Sequence, residues 1–148
     1  MFSKGFGRYV VEGDAIACEV DGFTVTATLY RDDCGDRPDE RQDGFWPSLD
    51  PQSAGYIGPK SKRTLARHWA KAKRVMDAWL ADEWHYYGVS LTVEREDVKL
   101  VHRYEVALWG IEGNYPDDDN AYLGEVANEL LDEALGMARE RISRLCAA

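Results

Sequence analysis

Asp21-Gly22, set between two runs of alternating residues, constrains this chain more than any other feature. The dipeptide suits a two-residue type I′ turn, because both of its positions tolerate a positive φ. Ala15 to Val20 and Phe23 to Tyr30 flank it. If the turn forms, Val20 pairs with Phe23, Cys18 with Val25 and Ile16 with Ala27. Those six side chains then share one face, and Thr24, Thr26 and Thr28 line the other. The chain therefore opens on an antiparallel hairpin with one apolar face. Tyr9 to Glu12 reads as a short strand ahead of it, with Gly13-Asp14 as the turn.

A second hairpin is predicted further on. Val89, Leu91 and Val93 alternate with Ser90 and Thr92, and Glu94 to Asp97 form the turn. Val98, Leu100, His102, Tyr104, Val106 and Leu108 then fall on one face of a long strand. Each hairpin is followed by a helical pattern. Ser61 or Thr64 caps a helix that runs to about Glu83, with Leu65, Trp69, Ala72, Met76 and Trp79 as its apolar stripe. A last helix runs from about Ala121 to Leu145, with Asn120 as N-cap. Its stripe is Leu123, Ala127, Leu130, Ala134, Ala138, Ile142 and Leu145. Residues 31–60 carry four of the five prolines and no usable period, so they are expected to form a long loop. Gly110 to Asn120 is expected to be a second loop.

The expected fold is α+β. An antiparallel sheet of two hairpins, in ββ-α-ββ-α order, packs against two amphipathic helices. A chain of 148 residues is read as a single domain, 1–148. Trp69, Trp79, Val89, Leu91, Val106, Leu130 and Leu131 are expected in one core.

Charge is unevenly placed. The net charge is −9, yet no carboxylate occurs from Pro51 to Met76, where Lys60, Lys62, Arg63, Arg67, Lys71, Lys73 and Arg74 gather. At about 100° per residue, Arg63, Arg67, Lys71 and Arg74 share one narrow arc opposite the apolar stripe. That line faces either solvent or a partner. Its bland reading is a wet helix side that pairs with acidic neighbours. Its functional readings are contact with phosphate or with an acidic protein surface. Glu125, Glu129, Asp132, Glu133 and Glu140 occupy the outer arc of the last helix, and Asp117, Asp118 and Asp119 extend it. This acidic rail is either the helix's solvated side or a mimic that occupies a basic groove.

Chemistry of other kinds finds little footing. Cys18, Cys34 and Cys146 are odd in number and widely spaced, so neither a disulfide framework nor a zinc site is expected. The aspartate runs lack the spacing of a calcium loop. His85 and His102 are possible neighbours across the second hairpin, but two histidines make a poor metal site. No nucleophile elbow, P-loop or dinucleotide fingerprint occurs. No metal, no cofactor and no catalytic residue are expected, and the chain is read as a non-enzyme. No membrane span or signal peptide is expected, and the cysteine usage points to a reducing cytoplasm.

Three blocks bear a family resemblance. Asp82-Glu83-Trp84-His85-Tyr86-Tyr87-Gly88-Val89 is followed by Leu108-Trp109-Gly110-Ile111-Glu112. Then comes Tyr122-Leu123-Gly124-Glu125-Val126-Ala127-Asn128-Glu129-Leu130-Leu131-Asp132-Glu133. This succession, over roughly the last half of the chain, resembles a group of small proteins encoded by bacteriophages and prophages. The resemblance implies a phage or mobile-element setting in a bacterial cytoplasm. Small acidic proteins there often resemble inhibitors of host defence, such as anti-CRISPR or anti-restriction proteins. The implied partner is a host or phage protein complex, such as a ribonucleoprotein. The alternative is a nucleic-acid-associated accessory protein that uses the basic helix at residues 60–74.

Overall fold

The computed structural model describes residues 1–147. Its elements are β1 (Ala15–Val20), β2 (Phe23–Arg31), a single 3-10 turn (Pro38–Glu40), α1 (Lys62–Leu80), β3 (His85–Arg95), β4 (Val98–Gly113) and α2 (Ala121–Ala147). The class is α+β, with four antiparallel strands and two helices. Backbone contacts divide the chain into two compact units. One holds Met1–Asp33 with the chain from His85 onward, and the other holds Cys34–Trp84.

The first unit is a meander of order β1-β2-β3-β4 with α2 against one face. The first hairpin has the register set by its turn. Val20 lies opposite Phe23, Cys18 opposite Val25 and Ile16 opposite Ala27. Asp21 and Gly22 both take positive φ, 51° and 82°. The second hairpin turns in the same way at Glu96 and Asp97, with φ of 51° and 64°. Phe23, Val25, Ala27 and Leu29 of β2 and Val89, Leu91 and Val93 of β3 are buried in one cluster. Leu123, Val126, Ala127, Leu131, Ala134, Leu135 and Ala138 of α2 close it. Leu130 is only half-buried and packs against the edge of this core.

β4 departs from simple alternation. Leu91 pairs with Val106 but Val93 pairs with Val101, so residues 102–105 bulge out of the ladder. Val89 pairs with Leu108 but Tyr87 with Ile111, which inserts another residue. Each bulge resets which side chains point inward. Leu100, Val101, Val106 and Ile111 are therefore buried, whereas Val98, His102, Tyr104 and Leu108 are exposed. The single apolar face expected for this strand does not form. The strand also continues to Gly113, through residues expected to start a loop. His85 lies opposite Gly113, at the far end of β3 from the bulge that holds His102, so the two histidines are not neighbours.

The N-terminal residues form no strand. Side-chain amides hold them instead. Asn114 and Val10 exchange two hydrogen bonds of 2.8 Å. The fully buried Asn120 donates to the carbonyls of Gly7 and Arg8 and to Asn114 Oδ1, and accepts from the Asn114 amide at 2.7 Å. Its side chain is thus turned away from the role of N-cap. Asp119 accepts from the Ala121 amide at the start of α2.

In the second unit, Ser61 caps α1 by accepting from the Thr64 amide at 3.2 Å. The helix stops at Leu80, short of Glu83. Asp82 takes a φ of 64°, its amide bonds to the Trp79 carbonyl, and the Glu83 amide bonds to the Ala78 carbonyl. This is a Schellman ending with an aspartate where glycine is usual. The Trp84 indole donates to the Val75 carbonyl at 2.8 Å. Residues 41–60 are tightly folded. Ser48 bridges to Tyr56, and Gly55 lies so close to the Trp46 carbonyl that a Cβ would sit 1.8 Å from it. The Trp46 ring stacks on Trp69 with centroids 4.8 Å apart. Trp69 and Trp79 accordingly belong to this unit and not, as the sequence suggests, to the core under the sheet. Trp69 remains 45% exposed.

Candidate binding faces

α1 is built to carry cations. Its lysines, arginines and alanines are strong helix formers, and Ser61 satisfies its first turn. Arg63, Arg67, Lys71 and Arg74 are all exposed. Arg67, His68, Lys71 and Arg74 surround the small Ala70 and line an open recess of about 390 Å³. The only carboxylate within α1, Asp77, is engaged by Lys73 at 2.7 Å. Nothing acidic lies in the first turn to offset the positive end of the helix dipole. The recess thus gathers three cationic side chains of α1 around one small residue.

α2 carries the opposite charge. Glu125, Glu129, Asp132 and Glu133 are all exposed on its outer side. Further along, Arg144 pairs with Glu140, and Arg139 reaches Asp21 at 2.9 Å. Cations therefore answer the carboxylates toward the C-terminal end of α2, and Glu125 to Glu133 form the unbroken part of the rail. The two groups of predicted site residues stand on different units, and each is a patch on one helix.

Cys18 is half-buried against the core, and Cys34 and Cys146 are exposed. Among the described residues no three histidines, cysteines or carboxylates are grouped to hold a metal, and no helix is long and apolar enough to cross a membrane.

Two features escaped sequence reasoning. The first is an ion pair on β4. Glu105 accepts from both guanidinium nitrogens of Arg141, at 2.6 and 2.8 Å, and from the His102 amide at 2.8 Å. Arg141 also donates to the Leu100 carbonyl at 2.7 Å. The Arg141 hydrogen bonds, helped by the His102 amide, hold the Glu105 carboxyl down at about 2. The second is a group of rings on the sheet face opposite α2. Tyr104 meets Tyr30 edge-on at 5.1 Å and lies 5.6 Å from Trp109. Only the bulges bring these three together, and no periodicity announces a bulge.

No protein-family model, curated protein or solved structure matches the chain.

Proposed function

We propose that this chain is a non-catalytic binding protein that inhibits a host defence complex by covering its surface, the anti-CRISPR-like role implied by its resemblance to phage-encoded proteins. The observation that carries the reading is the segregation of charge onto exposed helix faces. One arc of α1 presents Arg63, Arg67, Lys71 and Arg74, and one side of α2 presents Glu125, Glu129, Asp132 and Glu133. Complementary fields of this kind steer encounter and select partners. A ribonucleoprotein offers a match to both signs, with phosphates for α1 and nucleic-acid-binding basic grooves for the acidic rail. A second reading rests on the recess around Ala70. Its cations suit phosphate groups, as a nucleic-acid-associated accessory protein would need.

Capture of partners from bacterial lysate, with and without nuclease, tests the proposal. A protein complex retained after nuclease treatment supports it. Naked nucleic acid alone supports the second reading, and recovery of neither overturns both.

A further inference from the structure

We infer that the sheet face opposite α2 carries a stacking site for single-stranded nucleic acid, formed by Tyr30, Tyr104 and Trp109 with Arg103 over the two tyrosines. Four observations lead to it. Tyr104 holds a φ of 74°, a conformation that tyrosine rarely adopts and that ordinarily persists only where surrounding contacts enforce it. The enforcing contacts are present. The Tyr104 amide donates to the buried Ser90 Oγ at 3.0 Å, and the ion pair of Glu105 with Arg141 pins the next residue to α2. Gly88 leaves a gap in β3 that the Trp109 ring fills, so that a Cβ there would lie 2.2 Å from the ring. Tyr30 stands opposite Gly88 in the register, which gathers all three rings around that gap.

Two of the three rings are nevertheless not core, and Tyr30 is half-buried. Tyr104 is 52% and Trp109 42% exposed. Two bulges, a strained backbone and an absent side chain therefore hold aromatic surface at the boundary with water. Arg103 decides what would settle on it. Its guanidinium lies 4.9 Å from the Tyr104 centroid and 5.7 Å from that of Tyr30. It makes no ion pair with any described carboxylate, in a chain of net charge −9. The nearby Glu105 is already held by Arg141. A flat ring system joined to an anion fits this arrangement, with bases on the exposed ring surface that Arg103 leaves uncovered and a phosphate at the edge of its guanidinium. A single strand offers its base faces, whereas a duplex keeps them stacked inside. With one cation, such a site depends on salt far less than a run of phosphate contacts would.

The test is fluorescence anisotropy with a labelled oligothymidylate of roughly ten nucleotides, beside a duplex of equal length. The single strand should bind at least about tenfold tighter than the duplex, with a shallow salt dependence. Tyr104→Gly removes the ring and relieves the backbone, so it should weaken binding about tenfold or more while the melting temperature holds or rises. Arg103→Met, on the surface, should weaken binding several-fold and leave the fold intact. In a chain that also carries Arg67→Glu and Lys71→Glu, Tyr104→Gly should weaken binding by the same factor, which separates this face from α1. No binding of the single strand by the wild-type chain overturns the inference. So does equal binding of the duplex, or a folded Tyr104→Gly chain of undiminished affinity. If Tyr104→Gly fails to fold, undiminished affinity in Arg103→Met has the same force. Binding of a proline-rich peptide in place of the oligonucleotide also overturns it.

Discussion

Single residues do much of the work of closing the first unit. The N-terminal segment lacks a ladder of its own, and amides replace it. Asn120 donates to two carbonyls and to Asn114 Oδ1, and accepts from the Asn114 backbone N–H. Its φ of 65° is one that asparagine tolerates better than most residues. Asn120→Ala should leave buried partners without a hydrogen bond and destabilise the chain by about 2–4 kcal/mol. Chemical denaturation gives the value, and hydrogen exchange should show residues 7–10 losing protection first. Gly88→Ala is the matching steric test. The new methyl has to displace the Trp109 ring, at about 1–3 kcal/mol. A variant of unchanged stability and unchanged Trp109 fluorescence would show that the ring does not rest there. Neither role was legible in the sequence. Asn120 reads as a cap because it precedes a helical run, and its inward turn depends on carbonyls more than a hundred positions away. Gly88 falls outside the strand expected from Val89 onward, and nothing in the sequence places Trp109 on it.

At the scale of elements, legibility followed locality. The first hairpin was readable down to its register because Asp21-Gly22 and the alternation on either side specify one answer. The helices were readable from their stripes, except that Trp69 and Leu145, read as stripe residues, are 45% and 68% exposed. The end of α1 was not, since an aspartate at φ of 64° stands where a glycine would have marked the stop. β4 is misread from sequence because each bulge reverses the alternation, and an inward-facing count cannot continue across residues 102–105. The packing of α2 can be measured. Leu123 is fully buried, so Leu123→Ala should cost about 2–5 kcal/mol, and Leu130→Ala, at a half-buried position, less. Equal losses at the two would place α2 in a different rotation. The pairing of Glu105 with Arg141 makes a pH prediction. The folded-state pKa of Glu105 is depressed from 4.5 to about 2. Its contribution to stability is therefore present above about 4.5 and is lost as pH falls through about 2. Glu105→Gln should melt below the wild-type chain at neutral pH, and the gap should close in acid. A gap that stays constant down to pH 2 would mean that the pair contributes nothing that titrates.

For the molecule as a whole, the binding reading turns on charge sign. Arg67→Glu with Lys71→Glu alters only exposed positions of α1, and Glu129→Lys with Asp132→Lys does the same on α2. Both double variants should fold. Where a face is buried and paired against its partner, reversing its charges should weaken the captured complex by about 2–5 kcal/mol. At a solvated rim the effect should be much smaller and should vanish in high salt. Weakening by the basic pair alone points to phosphate or an acidic protein surface, and weakening by the acidic pair alone to occupation of a basic groove. Wild-type affinity in both would set charge aside. The arcs were legible because helical periodicity sorts charges without knowledge of the tertiary fold. The ring cluster was not, because it joins β2 to β4 across the gap at Gly88.

The irregularity of β4 also bears on how copies of the chain meet. As the last strand of the meander, β4 is an edge of the sheet, the place where a strand can pair with another chain. A flat strand of 16 residues would be an inviting template for a neighbour. The kinks at 102–105 and at Trp109–Gly110 divide it into segments too short and too misaligned to zip against another copy. Deleting residues to restore an unbroken ladder should increase edge-to-edge association relative to the wild-type chain, visible as higher-mass species in light scattering. What deforms the strand around Tyr104 would then also be what keeps the molecules apart.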